Sequence, residues 1–323
     1  RRGLCYRASM RRLAPLLLLL AACREDPDLQ TLTHDGLARE YLLRVPAAYD
    51  GTQPVPLVVA LHGGGGEGPA QETESQMTAK AEEAGFIVVY PTAWTDEEGA
   101  HRWNVGPRTS GGRQSTADDV GFLDALVADL ESRFNIDPKR IYATGMSNGG
   151  MMAYRLACER SDRYAAIGVV ATSMLADPCA PARPVPILHL HGSADKLIPY
   201  TGGPSSTEVP EAIRLTEDFR PTRDLLALWA ETDGCAAAPQ VTSQTGEVTC
   251  ESWAPCSSGA DVALCTIDGG GHAWPGSTAY PLGKTFFGKL VTQSFADIWP
   301  GHVTRDIVAD DALWTFFSAH PLP

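Results

Sequence analysis

Apolar residues gather in short, almost uninterrupted runs along this chain, and polar residues fill the stretches between the runs. A strand that is buried on both faces has no polar side, so it appears in the sequence as such a run. Runs of this kind predict buried strands at 56–61, 85–91, 140–143, 164–170, 186–190 and 262–267.

The stretches between these runs carry helical periodicity. In 118–134 the residues Leu123, Leu126, Leu130 and Phe134 recur at helical spacing, and 71–84 and 306–320 are also predicted helices. The alternation of strands and helices predicts an α/β fold: a mostly parallel central sheet with helices on both faces.

Two kinds of segment interrupt this alternation. Residues 31–45, broken by Asp35-Gly36, predict a hairpin at a sheet edge, whereas 199–221 and 275–301 predict irregular structure. No internal repeat or polar linker divides the chain, so we expect one catalytic domain over 31–323.

One strand-to-helix junction carries a chemical motif. Gly145-Met146-Ser147-Asn148-Gly149 places a serine between two glycines, directly after a predicted strand and before a helix-like run. This is the Gly-x-Ser-x-Gly nucleophile elbow, where the serine occupies a strained turn and the glycine positions leave no room for side chains. In this context we predict that Ser147 is a nucleophile and not an ordinary turn residue.

Two other predicted strands end in residues that complete such a site. Asp195 closes His191-Gly192-Ser193-Ala194-Asp195 after the strand at 186–190, and His272 follows a glycine run after the strand at 262–267. The order Ser147, Asp195, His272 is the order found in α/β-hydrolases. We expect His272 to act as general base and then acid, and Asp195 to orient it.

Other residues compete for the roles of acid and base. Asp118 and Asp119 stand at a predicted helix start, where carboxylates cap backbone N–H groups, and Asp268 directly follows a strand. We therefore expect structural roles for these three. We expect His62 to support the loop that it opens, and His189 to be a hydrogen-bonded core residue.

A glycine-rich loop after the strand at 56–61 predicts the oxyanion hole. In hydrolases of this type one backbone N–H donor follows the nucleophile, here Asn148, and the other comes from the loop after the third strand. In His62-Gly63-Gly64-Gly65-Gly66 the preferred second donor is Gly64, with Gly63 as the alternative.

Composition and charge narrow the partners. The 323 residues are 44% hydrophobic with a net charge of −13, which is ordinary globular composition and disfavours nucleic acid as a partner. No spacing of His, Cys, Asp and Glu resembles a metal site, so we expect neither metal nor cofactor.

The N-terminus resembles an export signal. Met10-Arg11-Arg12 precedes an apolar run that is too short to span a bilayer and ends in Leu20-Ala21-Ala22-Cys23. This predicts a signal peptide over 1–23 with translation starting at Met10, a lipobox with Cys23 as the lipidated residue, and a tether over 24–30. The alternative is a plain secretory signal with an incidental cysteine; either would place the protein on the cell envelope or outside the cell, with the membrane reached only through a lipid anchor.

Six cysteines remain when Cys5 and Cys23 are set aside, an even number that suits an oxidising compartment. The sequence alone does not determine which of these cysteines pair as disulfides. Cys250 and Cys265 lie in two short runs that flank a turn and could face each other across a hairpin; Cys235 with Cys256 and Cys158 with Cys179 are the remaining suggested pairs.

Aromatic residues near the predicted site suggest substrate contacts. Trp274 lies two residues past His272, Trp103 lies in a loop after a strand, and Tyr200 follows the acid motif. For both tryptophans the alternative is packing beneath the site.

These motifs together resemble the exported polyhydroxybutyrate depolymerase and feruloyl esterase group of α/β-hydrolases. The resemblance rests on the following segments: 61–63, 103–104, 118–122, 145–150, 191–195 with 198–200, and 270–276. It covers nearly the whole chain after the export signal. It implies a serine esterase without cofactor that uses the residues named above. Members often carry a cysteine or polar residue soon after the position of Gly63, where this chain has glycines, and 280–299 is extended relative to the group.

The expected activity is hydrolysis of a carboxylic ester through an acyl-enzyme. Polyester oligomers of the polyhydroxybutyrate type and hydroxycinnamoyl esters on plant polysaccharide are the leading substrates, and acetyl groups on xylan are a further one. An acyltransferase on the same fold would use the same three residues but exclude water.

Overall fold

A computed structural model describes residues 29–106, 115–279, 285–286, 289–290 and 300–323. Within these ranges, ten strands form one sheet, and a separate short ladder pairs Thr285–Phe286 with Lys289–Leu290. The strands of the large sheet are β1 Leu29–His34, β2 Leu37–Arg44, β3 Val55–Leu61, β4 Ile87–Pro91, β5 Ile136–Met146, β6 Ala166–Val170, β7 Ile187–Gly192, β8 Gln240–Thr245, β9 Val248–Ser252 and β10 Val262–Ile267.

The sheet has a parallel centre and antiparallel edges. Its order is β1-β2-β4-β3-β5-β6-β7-β10-β9-β8, and all neighbours from β4 to β10 in that order run parallel. The predicted edge hairpin is confirmed as β1 and β2, joined by Asp35 and Gly36, both with positive φ. The parallel centre brings the carboxyl ends of β3, β5, β6, β7 and β10 to one edge, where ligand sites of open α/β sheets lie.

Helices cover both faces of this sheet. They are α1 Gly68–Ser75, α2 Met77–Ala84, α3 Asp119–Arg133, α4 Asn148–Glu159, α5 Thr222–Thr232 and α6 Ala309–Ala319. Alternate residues of β3 separate two cores: Leu57 and Val59 belong to the one under α3, α4 and α5, and Val58 to the one under α2 and α6. The predicted α/β-hydrolase architecture is confirmed.

Local differences from the predicted elements have simple causes. The helix expected over 71–84 is two helices, because Gln76 adopts φ +59° and ends the first. Strand β5 begins at Ile136, which pairs with Val55, and not at Arg140. Helix α5 and strand β8 were not predicted; β8 is exposed along its whole length, so it carries no apolar run.

All three suggested cysteine pairs are disulfide-bonded in the structure. Cys250 and Cys265 are register partners on adjacent antiparallel strands β9 and β10. The remaining pairs are Cys158–Cys179 and Cys235–Cys256. Cys158 lies on α4 and Cys179 in the loop after β6, so this pair ties the helix after Ser147 to a neighbouring loop.

Among the described residues, no helix is both long and apolar enough to cross a membrane. The predicted signal segment, Met10 and Cys23 lie outside the described residues.

Candidate active site

The junction between β5 and α4 has the geometry of a nucleophile elbow. Ser147 stands alone between the strand and the helix with φ +54° and ψ −123°, a conformation that L-residues rarely adopt. A Cβ on Gly145 would lie 2.6 Å from the Gly149 carbonyl carbon, and one on Gly149 would lie 2.2 Å from the Leu61 oxygen. Only glycine fits at either position, so the two glycines allow the turn that presents Ser147.

Backbone contacts hold Ser147 in this conformation. Its N–H donates to the Val170 carbonyl at 3.0 Å, and its carbonyl accepts from Met151 N at 3.0 Å and from the Thr172 hydroxyl at 2.6 Å. Thr172 was not predicted, because a single threonine after a strand carries no distinguishing signal. These contacts fix the serine between β6 and α4 and offset the strain of the positive φ.

Asp195 and His272 form a buried hydrogen-bonded pair. Oδ2 of Asp195 lies 2.7 Å from Nδ1 of His272, and the two residues are 4% and 2% exposed. The other oxygen, Oδ1, accepts from the Leu197 and Ile198 amides at 2.8 and 2.9 Å. Because a carboxylate only accepts, Nδ1 of His272 carries the proton and Nε2 is left as the basic nitrogen.

Hydrogen bonds and charge keep Asp195 ionised despite burial. Burial alone would raise its pKa, but the charge of His272 and the hydrogen bonds from His191 and His272 outweigh burial and hold that pKa well below its ordinary value. His191 was quoted in the sequence motif without a role of its own. Its spacing from Asp195, four residues, and from His189, two residues along a strand, is the signal that could have marked it.

Sheet topology brings the three predicted residues to one edge. Register pairs Met146 with Val170, Val170 with Leu190, and Gly192 with Ile267, so the loops holding Ser147, Asp195 and His272 leave the sheet at similar heights. The loops after β7 and β10 are also tied directly, since Ala194 N donates to the Gly270 carbonyl at 2.9 Å.

The glycine-rich loop after β3 lies against the elbow. A Cβ on Gly63 would be 3.6 Å from the Ser147 Cβ, and one on Gly64 would be 3.7 Å from the Asn148 Cβ. The amides of Gly65 and Gly66 already donate to the carbonyls of His101 and Gly63. Gly64 and Gly63 therefore remain the candidates for the second oxyanion donor, as the sequence suggested.

His62 supports this loop as a neutral imidazole. Its Nδ1 lies 2.7 Å from the Gly63 carbonyl, and its Nε2 accepts from the Ala93 amide at 3.0 Å. Burial is the main cause that lowers the pKa of His62 to about 3, so it stays uncharged. The interpretation of His62 as a supporting residue agrees with these contacts.

The side chain of Asn148 is fixed by the backbone of Trp103. Its Oδ1 accepts from Trp103 N at 2.7 Å, and its Nδ2 lies 3.4 Å from the Trp103 carbonyl. The indole of Trp103 in turn donates to the His62 carbonyl at 3.0 Å. Asn148, Trp103 and His62 therefore form one rigid support around the predicted oxyanion hole.

Burial of the two tryptophans corrects the substrate contacts expected of them. Trp103 is 0% exposed and Trp274 is 1% exposed, with the Trp274 indole donating to Asp310 at 3.2 Å. Trp103 packs in the core under α3, α4 and α5, and Trp274 in the core under α2 and α6. Tyr200 is half-buried, and its hydroxyl lies 2.9 Å from that of Thr266 while its ring packs edge-on against His191.

The competing carboxylates have other partners. Asp118 caps α3 by accepting from Gly121 N at 3.0 Å, and Asp119 is paired with Arg39 at 2.6 Å. Asp268 accepts from the Ser193 hydroxyl at 3.1 Å. The structural roles expected for these three are consistent with these contacts.

One group of side chains among the described residues could hold a cation by geometry alone. The ligand atoms of His34, Asp35 and Asp118 lie within 4.8 Å of one another, at the β1–β2 turn. The two carboxylates are exposed, and Asp118 already serves as the cap of α3.

A cavity of about 560 Å³ lies between the loop that follows β6 and the segment that precedes α5. Met174 contributes to its lining, whereas Ser147, Asp195 and His272 do not. Its polar lining is mostly acidic, with Asp177, Glu217 and Asp218 against Arg220.

The sheet order, the elbow and the Asp195–His272 pair define an α/β-hydrolase. A model of the family described as "Esterase PHB depolymerase" matches residues 39–189. The putative esterase NocK of Nocardia uniformis subsp. tsuyamanensis is 34% identical over 259 residues, covering 75% of this chain and 72% of that protein. The chain belongs to the PHB depolymerase family of esterases.

Two further similarities are informative. Feruloyl esterase B of Piromyces equi is 33% identical over 240 residues, which make up 73% of this chain but 42% of that protein, so this chain spans less than half of that relative. Acetyl xylan esterase from Aspergillus awamori has a TM-score of 0.56 at 18% identity, covering 76% of this chain and 94% of that one. The latter similarity shows the fold.

Proposed function

We propose that the protein is an exported serine carboxylic-ester hydrolase in which Ser147, His272 and Asp195 form the catalytic triad. The observation that carries the proposal is the 2.7 Å Asp195–His272 hydrogen bond at the sheet edge where Ser147 occupies its positive-φ turn. Family membership supports the reaction class.

The geometry supports a two-stage reaction. Ser147 Oγ attacks the ester carbonyl carbon while Nε2 of His272 takes the hydroxyl proton, and the carbonyl oxygen becomes an oxyanion facing the amides of Asn148 and Gly64 or Gly63. The carbon–oxygen bond to the leaving alcohol then breaks, and that alcohol takes the proton from His272. Water, deprotonated by His272, hydrolyses the resulting acyl-serine and regenerates the enzyme.

Asp195 contributes by orientation and charge. It holds His272 in the tautomer with Nε2 available and stabilises the imidazolium that forms in each stage. Because Asp195 is ionised and its other oxygen is fixed by two amides, it needs no reorganisation during the reaction.

Hydroxycinnamoyl esters of polysaccharide are the substrates that we favour. A relative that is 33% identical over 73% of this chain is named a feruloyl esterase. Oligomers of 3-hydroxybutyrate are the second candidate because of the family that matches.

Export is part of the proposal. Three disulfides within the described residues suit an oxidising compartment, and the basic-then-apolar N-terminal segment resembles a signal peptide with a lipobox at Cys23. We propose residues 31–323 as one catalytic domain behind that segment and a short tether.

A hydrolysis panel tests the proposal. Purified protein and the Ser147→Ala variant are assayed on p-nitrophenyl acetate, methyl ferulate, acetylated xylan and 3-hydroxybutyrate oligomers, with products quantified by chromatography. We expect turnover to be highest on methyl ferulate and lost in the variant. A preference for hydroxybutyrate oligomers would instead identify a depolymerase, and transfer to an added alcohol in place of hydrolysis would identify an acyltransferase.

A further inference from the structure

A line of buried polar side chains leads from the helix after Ser147 to the proposed triad acid. The Tyr154 hydroxyl lies 2.9 Å from Nδ1 of His189, and Nε2 of His189 lies 3.1 Å from Nδ1 of His191. Nε2 of His191 lies 2.9 Å from the Ile198 carbonyl and 3.3 Å from Asp195 Oδ2. Tyr154 and His189 are fully buried, and His191 is 1% exposed.

With both imidazoles neutral, hydrogen-bonding rules assign one set of protons to this line. The Ile198 carbonyl and the Asp195 carboxylate only accept, so Nε2 of His191 carries a proton and, in the neutral ring, Nδ1 accepts. Nε2 of His189 therefore donates to His191, and Nδ1 of His189 accepts from the Tyr154 hydroxyl. The Thr222 hydroxyl also lies 3.2 Å from Nδ1 of His191.

In this assignment every hydrogen bond is donated in the same direction, from Tyr154 towards Asp195. Burial is the main cause that holds the pKa of His189 well below its ordinary value, which agrees with a neutral ring. Each hydrogen bond polarises the next, so the donor at the end of the line is stronger than an isolated imidazole N–H. That donor faces the carboxylate oxygen that also binds His272.

We propose that Tyr154, His189 and His191 form a polarised donor chain that positions the Asp195 carboxylate for catalysis, with His191 as the residue that acts on it directly. The proposal rests on the triad proposed above. None of the three residues touches the substrate; they act through Asp195.

The chain also connects two parts of the proposed triad. Tyr154 lies on α4, seven residues or about two turns after Ser147, whereas His189 and His191 lie on β7, which leads into the Asp195 loop. The rings of His189 and His191 are nearly parallel, with 9° between their planes and centroids 5.2 Å apart, which suits a hydrogen bond between their edges. Movement of Asp195 relative to α4 would break the hydrogen bonds of the donor chain. The donor chain therefore maintains the alignment of Asp195 with the helix that follows Ser147.

Three variants test the chain by activity. Tyr154→Phe removes only the first hydroxyl, His191→Leu removes the last donor, and His191→Gln restores an N–H group near the position of Nε2. With the preferred ester we expect kcat to fall about 3- to 10-fold in Tyr154→Phe and about 10- to 150-fold in His191→Leu, the latter because a bond to a charged group is lost. KM should stay within about 2-fold in each. His191→Gln should recover at least part of the loss.

Tyr164→Phe is the matched control. Tyr164 is also fully buried, but its hydroxyl has no hydrogen-bond partner among the described residues. It should keep the wild-type kcat. Equal kcat in Tyr154→Phe and Tyr164→Phe would overturn the proposal, as would a folded His191→Leu variant with unchanged kcat. If His191→Leu does not fold, the comparison of the two tyrosine variants decides.

Nitrogen-15 NMR of histidine-labelled protein separates this proposal from the proposed function, because it requires no turnover. We expect His189 and His191 both to be neutral with the proton on Nε2, and the His189 Nδ1 resonance to shift in Tyr154→Phe and not in Tyr164→Phe. A proton on Nδ1 of His191 would contradict the chain even if the protein is an active esterase. If NMR shows the expected tautomers but the protein hydrolyses no ester, the donor chain exists and its proposed catalytic role is wrong.

Discussion

Two buried aspartates illustrate how the partner of a carboxylate decides what it does. Asp195 and Asp119 are 4% and 0% exposed, and each was a candidate for the triad acid. Asp119 binds Arg39 at 2.6 Å and accepts from Asn104 N at 2.7 Å, whereas the partners of Asp195 among the described residues are histidines and backbone N–H groups. The first carboxylate is neutralised by a permanent cation, and the second is stabilised without one.

The difference is visible in the pKa of each carboxyl. Burial raises the pKa of Asp119 and exceeds the lowering effect of Arg39, while the hydrogen bonds and charge around Asp195 exceed the effect of its burial and lower its pKa. A carboxylate shared with His272 can respond to the charge that develops on that ring. Asp119, by contrast, is fixed to Arg39. It connects β2 to α3 and to the Trp103-Asn104 segment, so its role is structural.

The largest effect expected is from Asp195→Asn. The amide cannot hold His272 in the tautomer that leaves Nε2 basic, so kcat should fall about 10⁴-fold while the protein stays folded. Steady-state kinetics with a thermal melt measure both quantities. A loss below about 10-fold would mean that another group orients His272.

The second-largest effect distinguishes the two aspartates by their contribution to the free energy of unfolding. Asp119→Asn leaves the buried Arg39 without its counter-charge, which costs about 3–5 kcal/mol of unfolding free energy. Urea titration measures this loss, and kcat of the folded fraction should fall less than about 10-fold. Asp118→Asn is the control, because asparagine caps a helix as well as aspartate does and stability should hardly change. If Asp119→Asn proved more damaging to kcat than Asp195→Asn, the assignment of the acid would be wrong.

The smallest effect concerns a third buried carboxyl, Asp310, which accepts from the Trp274 indole. Burial raises the pKa of Asp310 to about 7, above its ordinary 3.8. The unfolded chain therefore loses this proton first as pH rises, and the contribution to stability, full below about pH 4, is lost as pH rises towards 7. Between about pH 4 and 7 the unfolding free energy of Asp310→Asn should fall less than that of the wild type. The difference between the two falls should be about 1–4 kcal/mol.

Urea titrations at several pH values measure that slope. Asp311→Asn, which removes an exposed neighbour paired with Lys80, should leave the slope at its wild-type value. Equal slopes in wild type and Asp310→Asn would show that Asp310 is already ionised in the native protein.

Much of the fold was predictable because the strands are buried on both faces. Such strands form continuous apolar runs, as in β3 and β7, and their carboxyl ends must meet at one edge, which placed the loops of Ser147, Asp195 and His272 together. Strand β8 was not predicted because it is exposed throughout. The break at Gln76 was not predicted because a non-glycine residue adopts a left-handed conformation there.

Side-chain roles were less predictable than positions. The burial of Trp103 and Trp274 depends on which loops cover them, and nothing in the local sequence distinguishes a tryptophan beneath a site from one on its surface. The contacts from Tyr154 to His191 join a helix to a strand that lies 35 residues further along the chain, so only the tertiary structure reveals them.

Covalent labelling tests the central claim most directly. The protein is treated with a fluorophosphonate or a slowly deacylating p-nitrophenyl ester, and the modified residue is identified by intact-mass and peptide mass spectrometry. The account predicts one adduct, on Ser147, that is absent in Ser147→Ala and forms far more slowly in Asp195→Asn. A stoichiometric adduct on another residue, or ester turnover that survives Ser147→Ala, would contradict it.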